Sequence, residues 1–216
     1  MFRMVKMKLQ KLTLAVCVIL GLLIVSHIPI ELIEIGDVCA GAMFTDDVEE
    51  GWNKTFGGFY NDEGFSISQT TDGGYIVTGW TFSYGKGLYD VWLIKTDGNG
   101  SKEWDTTFGG FSTERGSSVV QTGDSGYIIT GWTFSYGAGS RDVWLIKTDA
   151  NGSKEWDRTF GEANDDVGRS VAKTNDGGYI ITGYKQSYCP TCPGTTSQDV
   201  WLIKTDGNGS KEWDTT

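Results

Sequence analysis

The chain has 216 residues, with 31 Gly, 9 Trp, 3 Pro, 4 Cys, a single His, 13% aromatic residues and a formal net charge of −10. An apolar share of 38% with nine Trp excludes a disordered chain, glycines without a three-residue period exclude collagen, and the acidic balance argues against a nucleic-acid partner, whose phosphates it would repel. High glycine with abundant aromatics, and no segment of 3.6-residue apolar period, predicts an all-β chain of short strands and tight turns.

Residues 1–42 read as an address. Arg3, Lys6, Lys8 and Lys11 precede an apolar run from Leu12 to Val25, and Ala40-Gly41-Ala42 offers small residues to a peptidase. A signal peptide is expected; the alternative is an N-terminal membrane anchor, the apolar segment reaching about 19 residues if Ser26 and His27 are tolerated. Both readings predict a secreted or cell-surface protein. Setting the leader aside leaves 14 basic and 25 acidic residues, or −11, and removes the only histidine, His27. A mature chain without histidine has no Ser/His/Asp or Cys/His nucleophile and no histidine metal site.

A repeat governs residues 43–216. Trp52, Trp104 and Trp156 are spaced by 52 residues, and Trp213 follows after 57; Tyr75, Tyr127 and Tyr179 keep the 52-residue step. Three units result, approximately 57–108, 109–160 and 161–216. In the first, Gly64–Thr70 predicts strand A and Asp72-Gly73-Gly74 a tight turn, because glycine accepts the positive φ such turns need. Tyr75–Trp80 predicts strand B, and a loop through Ser83–Tyr89 leads to strand C, Asp90–Thr96, whose unbroken apolar run implies burial on both faces. Asp97–Gly100 turns the chain into strand D, Ser101–Phe108. The five extra residues of the third unit fall between Tyr179 and Asp199, around Cys189-Pro-Thr-Cys-Pro193.

Four-stranded meanders of this length are the blades of β-propellers. The order Trp104 … Arg115 … Gly126-Tyr-Ile-Ile-Thr-Gly131 … Asp142-Val-Trp-Leu-Ile-Lys147 … Trp156 resembles a kelch-type blade. More closely, it is similar to the secreted DGGY … DVWLIK propeller repeats of archaeal and bacterial surface proteins. It departs from kelch in having one glycine, at 79, 131 and 183, where kelch has a pair. The resemblance covers about residues 51–216 and implies a propeller, with no implied activity. The rival fold is a β-trefoil, also three units of four strands. Gly51–Phe56 matches strand D with no A, B or C before it, an orphan N-terminal strand. Three blades are also fewer than the four to eight that usually close. The expectation is a partial ring, either a piece of a longer one or a chain that self-associates to complete it.

Trp80, Phe82 and Tyr84, repeated as Trp132, Phe134 and Tyr136, fall two apart and would line one face of extended chain. Such a row can stack on sugar rings; the competing reading is inter-blade packing. The Asp-Gly-Asn-Gly-Ser type turns at 97, 149 and 206 resemble the start of a calcium loop but lack its sixth-position glycine and twelfth-position glutamate. Calcium is therefore a remote option, and no other cofactor or metal is expected. Asn53, Asn99, Asn151 and Asn208 head glycosylation sequons. Cys189 and Cys192 are expected to form a local disulfide, since a lone CxxC is at most half a zinc site. Asp90, Asp142 and Asp199, with Lys95, Lys147 and Lys204, recur at fixed places and read as structural. The expected function is an exported binding or scaffold module whose partner is a protein or glycan. The alternative is part of a carbohydrate-active hydrolase, which would need two carboxylates about 5–9 Å apart.

Overall fold

The computed structural model describes residues 51–188 and 194–216. The expected leader (1–42) and the Cys189–Cys192 pair lie outside the described residues. Those residues hold twelve strands and no helix, so no helix among them could cross a membrane.

The strands form three four-stranded antiparallel sheets in sequential order. The first is β1 (Asp62–Gln69), β2 (Tyr75–Thr81), β3 (Asp90–Thr96) and β4 (Lys102–Phe108). The second is β5 (Glu114–Gln121), β6 (Tyr127–Thr133), β7 (Asp142–Thr148) and β8 (Lys154–Phe160). The third is β9 (Asp166–Lys173), β10 (Tyr179–Tyr188), β11 (Thr196–Thr205) and β12 (Lys211–Thr215). Strand C begins and ends where the sequence placed it, and β3 and β7 are buried throughout. The insertion of the third unit lengthens a hairpin: Gln186↔Gln198, Ser187↔Ser197 and Tyr188↔Thr196 add three rungs to the β10–β11 ladder.

Each sheet is held by the residues that define the repeat. Lys95, with its side chain 4% exposed, is ion-paired to Asp72 (2.9 Å) and Glu103 (2.7 Å), and its Nζ donates to the Thr96 carbonyl. Lys147 does the same with Asp124 and Glu155, and Lys204 with Asp176 and Glu212. The lysine of strand C thus ties the A–B turn to strand D. Trp92, Trp144 and Trp201 donate their indole N–H to Asp105, Asp157 and Asp214.

The sheets stack as successive blades, β5 lying against β1, β2 and β3, and β9 against β5, β6 and β7. Two core clusters sit at the two junctions. Ile76, Val91 and Leu93 of the first blade meet Val119, Tyr127, Ile129, Trp144 and Ile146 of the second. Ile128, Val143 and Leu145 of the second meet Val171, Tyr179, Ile181, Trp201 and Ile203 of the third. Close approach requires glycine at one point: a Cβ on Gly116 would collide with Thr78 Oγ1, and one on Gly168 with Thr130 Oγ1.

A trefoil is excluded, because it would pair strands of different units. Among the described residues the only strand bridge between units is the isolated Tyr89↔Thr113. The orphan segment Gly51–Phe56 follows the repeat in its side chains but not in a ladder. Trp52 packs on Tyr75 (ring centroids 6.1 Å) and against Gly100, as Trp104 packs on Tyr127 and Gly152 and Trp156 on Tyr179 and Gly209. The segment is hydrogen-bonded to no described strand and forms no ladder.

Candidate ligand-binding end

An antiparallel meander sends its A–B and C–D turns to one end of the blade and its B–C loops and D–A connections to the other. The two sets of loops at the second end are bonded to each other across the blade junctions. Leu88 N–H donates to the Ser112 carbonyl (2.9 Å), Glu114 N–H to Tyr89 (2.7 Å) and Asp166 N–H to Arg141 (2.6 Å).

Aromatic rings collect at this end. Phe59 meets Tyr60 edge-on (5.2 Å), Tyr60 meets Phe82 (5.0 Å), Phe82 meets Tyr89 (5.2 Å) and Tyr89 meets Trp80 (4.6 Å). Arg115 carries the row across the junction, its guanidinium 5.0 Å from the Trp80 ring, 5.2 Å from Tyr89 and 5.7 Å from Trp132. Trp132 meets Phe134 at 5.5 Å, and Arg141 lies over both while ion-paired to Asp165 (2.8 Å). Cation–π contacts of this kind strengthen as water is excluded.

The structure divides the two expected rows. Trp80 and Trp132 are buried in the junction, whereas Phe82 and Phe134 are partly exposed. Tyr84 and Tyr136 leave the row: each stacks on a strand-C tryptophan (Trp92 and Trp144, both at 5.4 Å). Their hydroxyls donate to the Gly57 and Gly109 carbonyls, yet both rings remain half exposed. Two rings went unnoticed in the sequence: Phe59 and Phe111, 93% and 92% exposed, project from the D–A connections. Their signal was present, since Gly-Gly-Phe recurs at 57–59 and 109–111 on the 52-residue step. The third unit has Ala163 there, and its long hairpin instead presents exposed Tyr188.

The carboxylates at this end are turned inward. Glu114 accepts from Gly110 N–H (2.9 Å), Thr133 Oγ1 (3.1 Å) and Ser135 N–H (3.1 Å). Asp62 and Asp166 hold the matching loops through Gly58 N–H (2.9 Å) and Glu162 N–H (2.7 Å). Asp90 Oδ2 accepts from Lys86 and Gly87 N–H, and Asp142 Oδ2 from Ala138 and Gly139 N–H. Their other oxygens are buried without a hydrogen bond. Burial raises both carboxyl groups above the usual range, and the neighbouring Glu114 and Asp166 carboxylates add to the effect. All five hold loops through these hydrogen bonds.

The opposite end is polar. Asn99, Asn151 and Asn208 are exposed at the tips of the C–D turns, and Asn53 is exposed on the N-terminal segment. Asp97 Oδ1 accepts from Asn99 and Ser101 N–H, and Asp149 and Asp206 repeat the pattern, so these carboxylates cap their own turns. Among the described residues no three His, Cys, Asp or Glu side chains converge. No protein-family model matches the chain, and no curated protein sequence matches it.

Proposed function

We propose that this chain is an exported cell-surface binding module, of the kelch-like propeller kind its repeats resemble, whose aromatic end takes a glycan. One observation carries the reading. Phe59 and Phe111 are almost wholly exposed at equivalent places on adjacent blades, beside the half-exposed Phe82, Tyr84, Phe134 and Tyr136. A soluble chain gains nothing in stability from rings left in water, whereas flat faces held on rigid strands are what sugar rings stack on. The polar signature residues are, in contrast, occupied within their own blades. Loops on a rigid scaffold carry the specificity.

A glycan array read with the purified chain, followed by titration of the best ligand, tests this. Phe59→Ala and Phe111→Ala each remove one exposed ring and should weaken binding about threefold to tenfold, the worth of one aromatic contact of about 0.5–1.5 kcal/mol. Unchanged affinity in both variants would sink the assignment, and an empty array would turn it toward a protein partner. Hydrolysis of the bound glycan by the wild-type chain would favour the hydrolase reading instead.

A further inference from the structure

The two junctions inside the chain are the same junction built twice, and each of its halves is present once more without a partner among the described residues. The receiving half consists of Ile76, Thr78, Val91 and Leu93 in the first blade and Ile128, Thr130, Val143 and Leu145 in the second, all buried to 1% exposure or less. Their counterparts in the third blade are Ile180, Thr182, Val200 and Leu202. Val200 is 72% exposed there, and the other three are only partly buried. The incoming half is Val119, Tyr127 and Ile129 in the second blade and Val171, Tyr179 and Ile181 in the third, all buried. In the first blade it is Ile67, Tyr75 and Val77, with Ile67 63% exposed and the other two partly so. The small residue at the point of closest approach is kept as well: a Cβ on Gly64 would meet nothing but Val77, where one on Gly116 or Gly168 strikes the preceding blade.

We infer that the open face of the first blade docks on the open face of the third blade of a second copy. The two faces are complementary because they are the halves of a contact this chain already makes, with Ile, Thr, Val and Leu kept in the third blade and Ile67 and Val77 of the first standing where Val119 and Ile129 stand in the second. Such a contact is heterologous, so it closes only if rotation returns to the start. Two copies supply six blades, within the four to eight that close, whereas three supply nine. The assembly is therefore a two-chain ring. Contact runs through β9–β11 of the receiving third blade, because Trp52 already holds the place on Tyr75 and Gly100 that Trp213 of the second copy would take.

Sedimentation of the purified full chain should give twice the chain mass at micromolar concentration. Val200→Asp and Ile67→Asp each spoil one face at an exposed position, leaving the blades folded by circular dichroism. Each variant alone should sediment as a single chain, since every contact needs one face of each kind. An equimolar mixture should recover a two-chain species, joined through the Val200 face of one and the Ile67 face of the other. A wild-type monomer, a two-chain species from either variant alone, a mixture that stays monomeric, or wild-type growth beyond two chains would each overturn the inference.

Discussion

Replacing Lys147 by Met tests whether the repeat signature acts as a tie between strands. The ammonium reaches Asp124 at 2.8 Å, Glu155 at 2.7 Å and the Thr148 carbonyl at 2.9 Å, with the side chain 4% exposed. Removing one partner of a fully buried pair costs about 3–5 kcal/mol, mostly from the charge left stranded. Here the stranded charges are not buried, because Asp124 is 58% and Glu155 44% exposed, so that part shrinks. The Thr148 carbonyl does lose a partner in a buried place, at about 1–3 kcal/mol. The ionic share can be bounded from Asp124. Burial works against its ionised form, but the hydrogen bonds from Lys147, Thr122 and Gly126 win and bring it down from 3.8 to about 2. At full strength that gap is about 2.4 kcal/mol for all causes together, and solvent around an exposed carboxylate reduces the Lys147 part to about 1 kcal/mol. The expected loss is about 2–4 kcal/mol at pH 7. A carboxyl lowered on folding contributes fully above 3.8 and loses its contribution as pH falls from 3.8 toward about 2. Urea unfolding followed by tryptophan fluorescence at pH 7 and pH 2.5 should therefore give a smaller difference between wild type and variant at the lower pH. Equal differences at both pH values, or a loss below about 1 kcal/mol at pH 7, would refute the tie.

Gly116→Ala drives a methyl into Thr78 Oγ1 with the Gly79 carbonyl and Val91 Cγ1 each 3.1 Å away, and overpacking of this kind costs about 1–3 kcal/mol. Gly64→Ala meets only Val77 at 3.5 Å and should stay within about 0.5 kcal/mol of wild type when measured at dilutions where chains are single. Asp142→Asn replaces the unpartnered buried oxygen with an amide N–H beside Asp166 and keeps the acceptor for Ala138 and Gly139. Because burial and Asp166 raise the Asp142 carboxyl in the folded chain, wild-type stability falls as pH climbs from 3.8 through that raised value. The variant should lose that slope and gain about 1 kcal/mol at pH 7 in the same assay; a loss at pH 7 would show the carboxylate to be needed.

Fold and repeat were legible because the physics that sets them is local or periodic. A DGG turn, an unbroken apolar strand and a 52-residue step each act over a few residues or recur three times, so strand C at Asp90–Thr96 could be placed to the residue. The lack of a partner for Gly51–Phe56 was legible, but that the segment is not a strand was not, because its residues match those of strand D and strand state depends on a paired neighbour. Nor was the splitting of the aromatic rows. Two-residue spacing puts Trp80, Phe82 and Tyr84 on one face only while the chain stays extended, but β2 ends at Thr81 and the loop sends Tyr84 to Trp92. The bridging role of Arg115, which the sequence shows only as one residue of the blade order, was not legible because its counterparts, Glu63 and Val167, break the repeat. A cation bridging rings of two blades is visible only when the blades are stacked.

How strictly a residue recurs also separates what holds the molecule from what it presents. The Lys, Asp and Glu of the strand ties occur in all three units and are engaged in all three. The Gly-Gly-Phe connections and the Phe of the B–C loops occur in two units and stop at the third, where Ala163 and Gln186 replace them, while the Tyr of those loops recurs as Tyr188. A residue needed to close a blade cannot be dropped from one blade without loss of stability, because each blade must bury the same faces. A residue that can be dropped while the blade still forms is not held there by folding. Phe59 and Phe111 meet that condition and lie almost wholly in water. On the binding function proposed above, their retention on two adjacent blades would reflect contacts outside the chain, and the loops of the first two blades are the ones to test against a ligand.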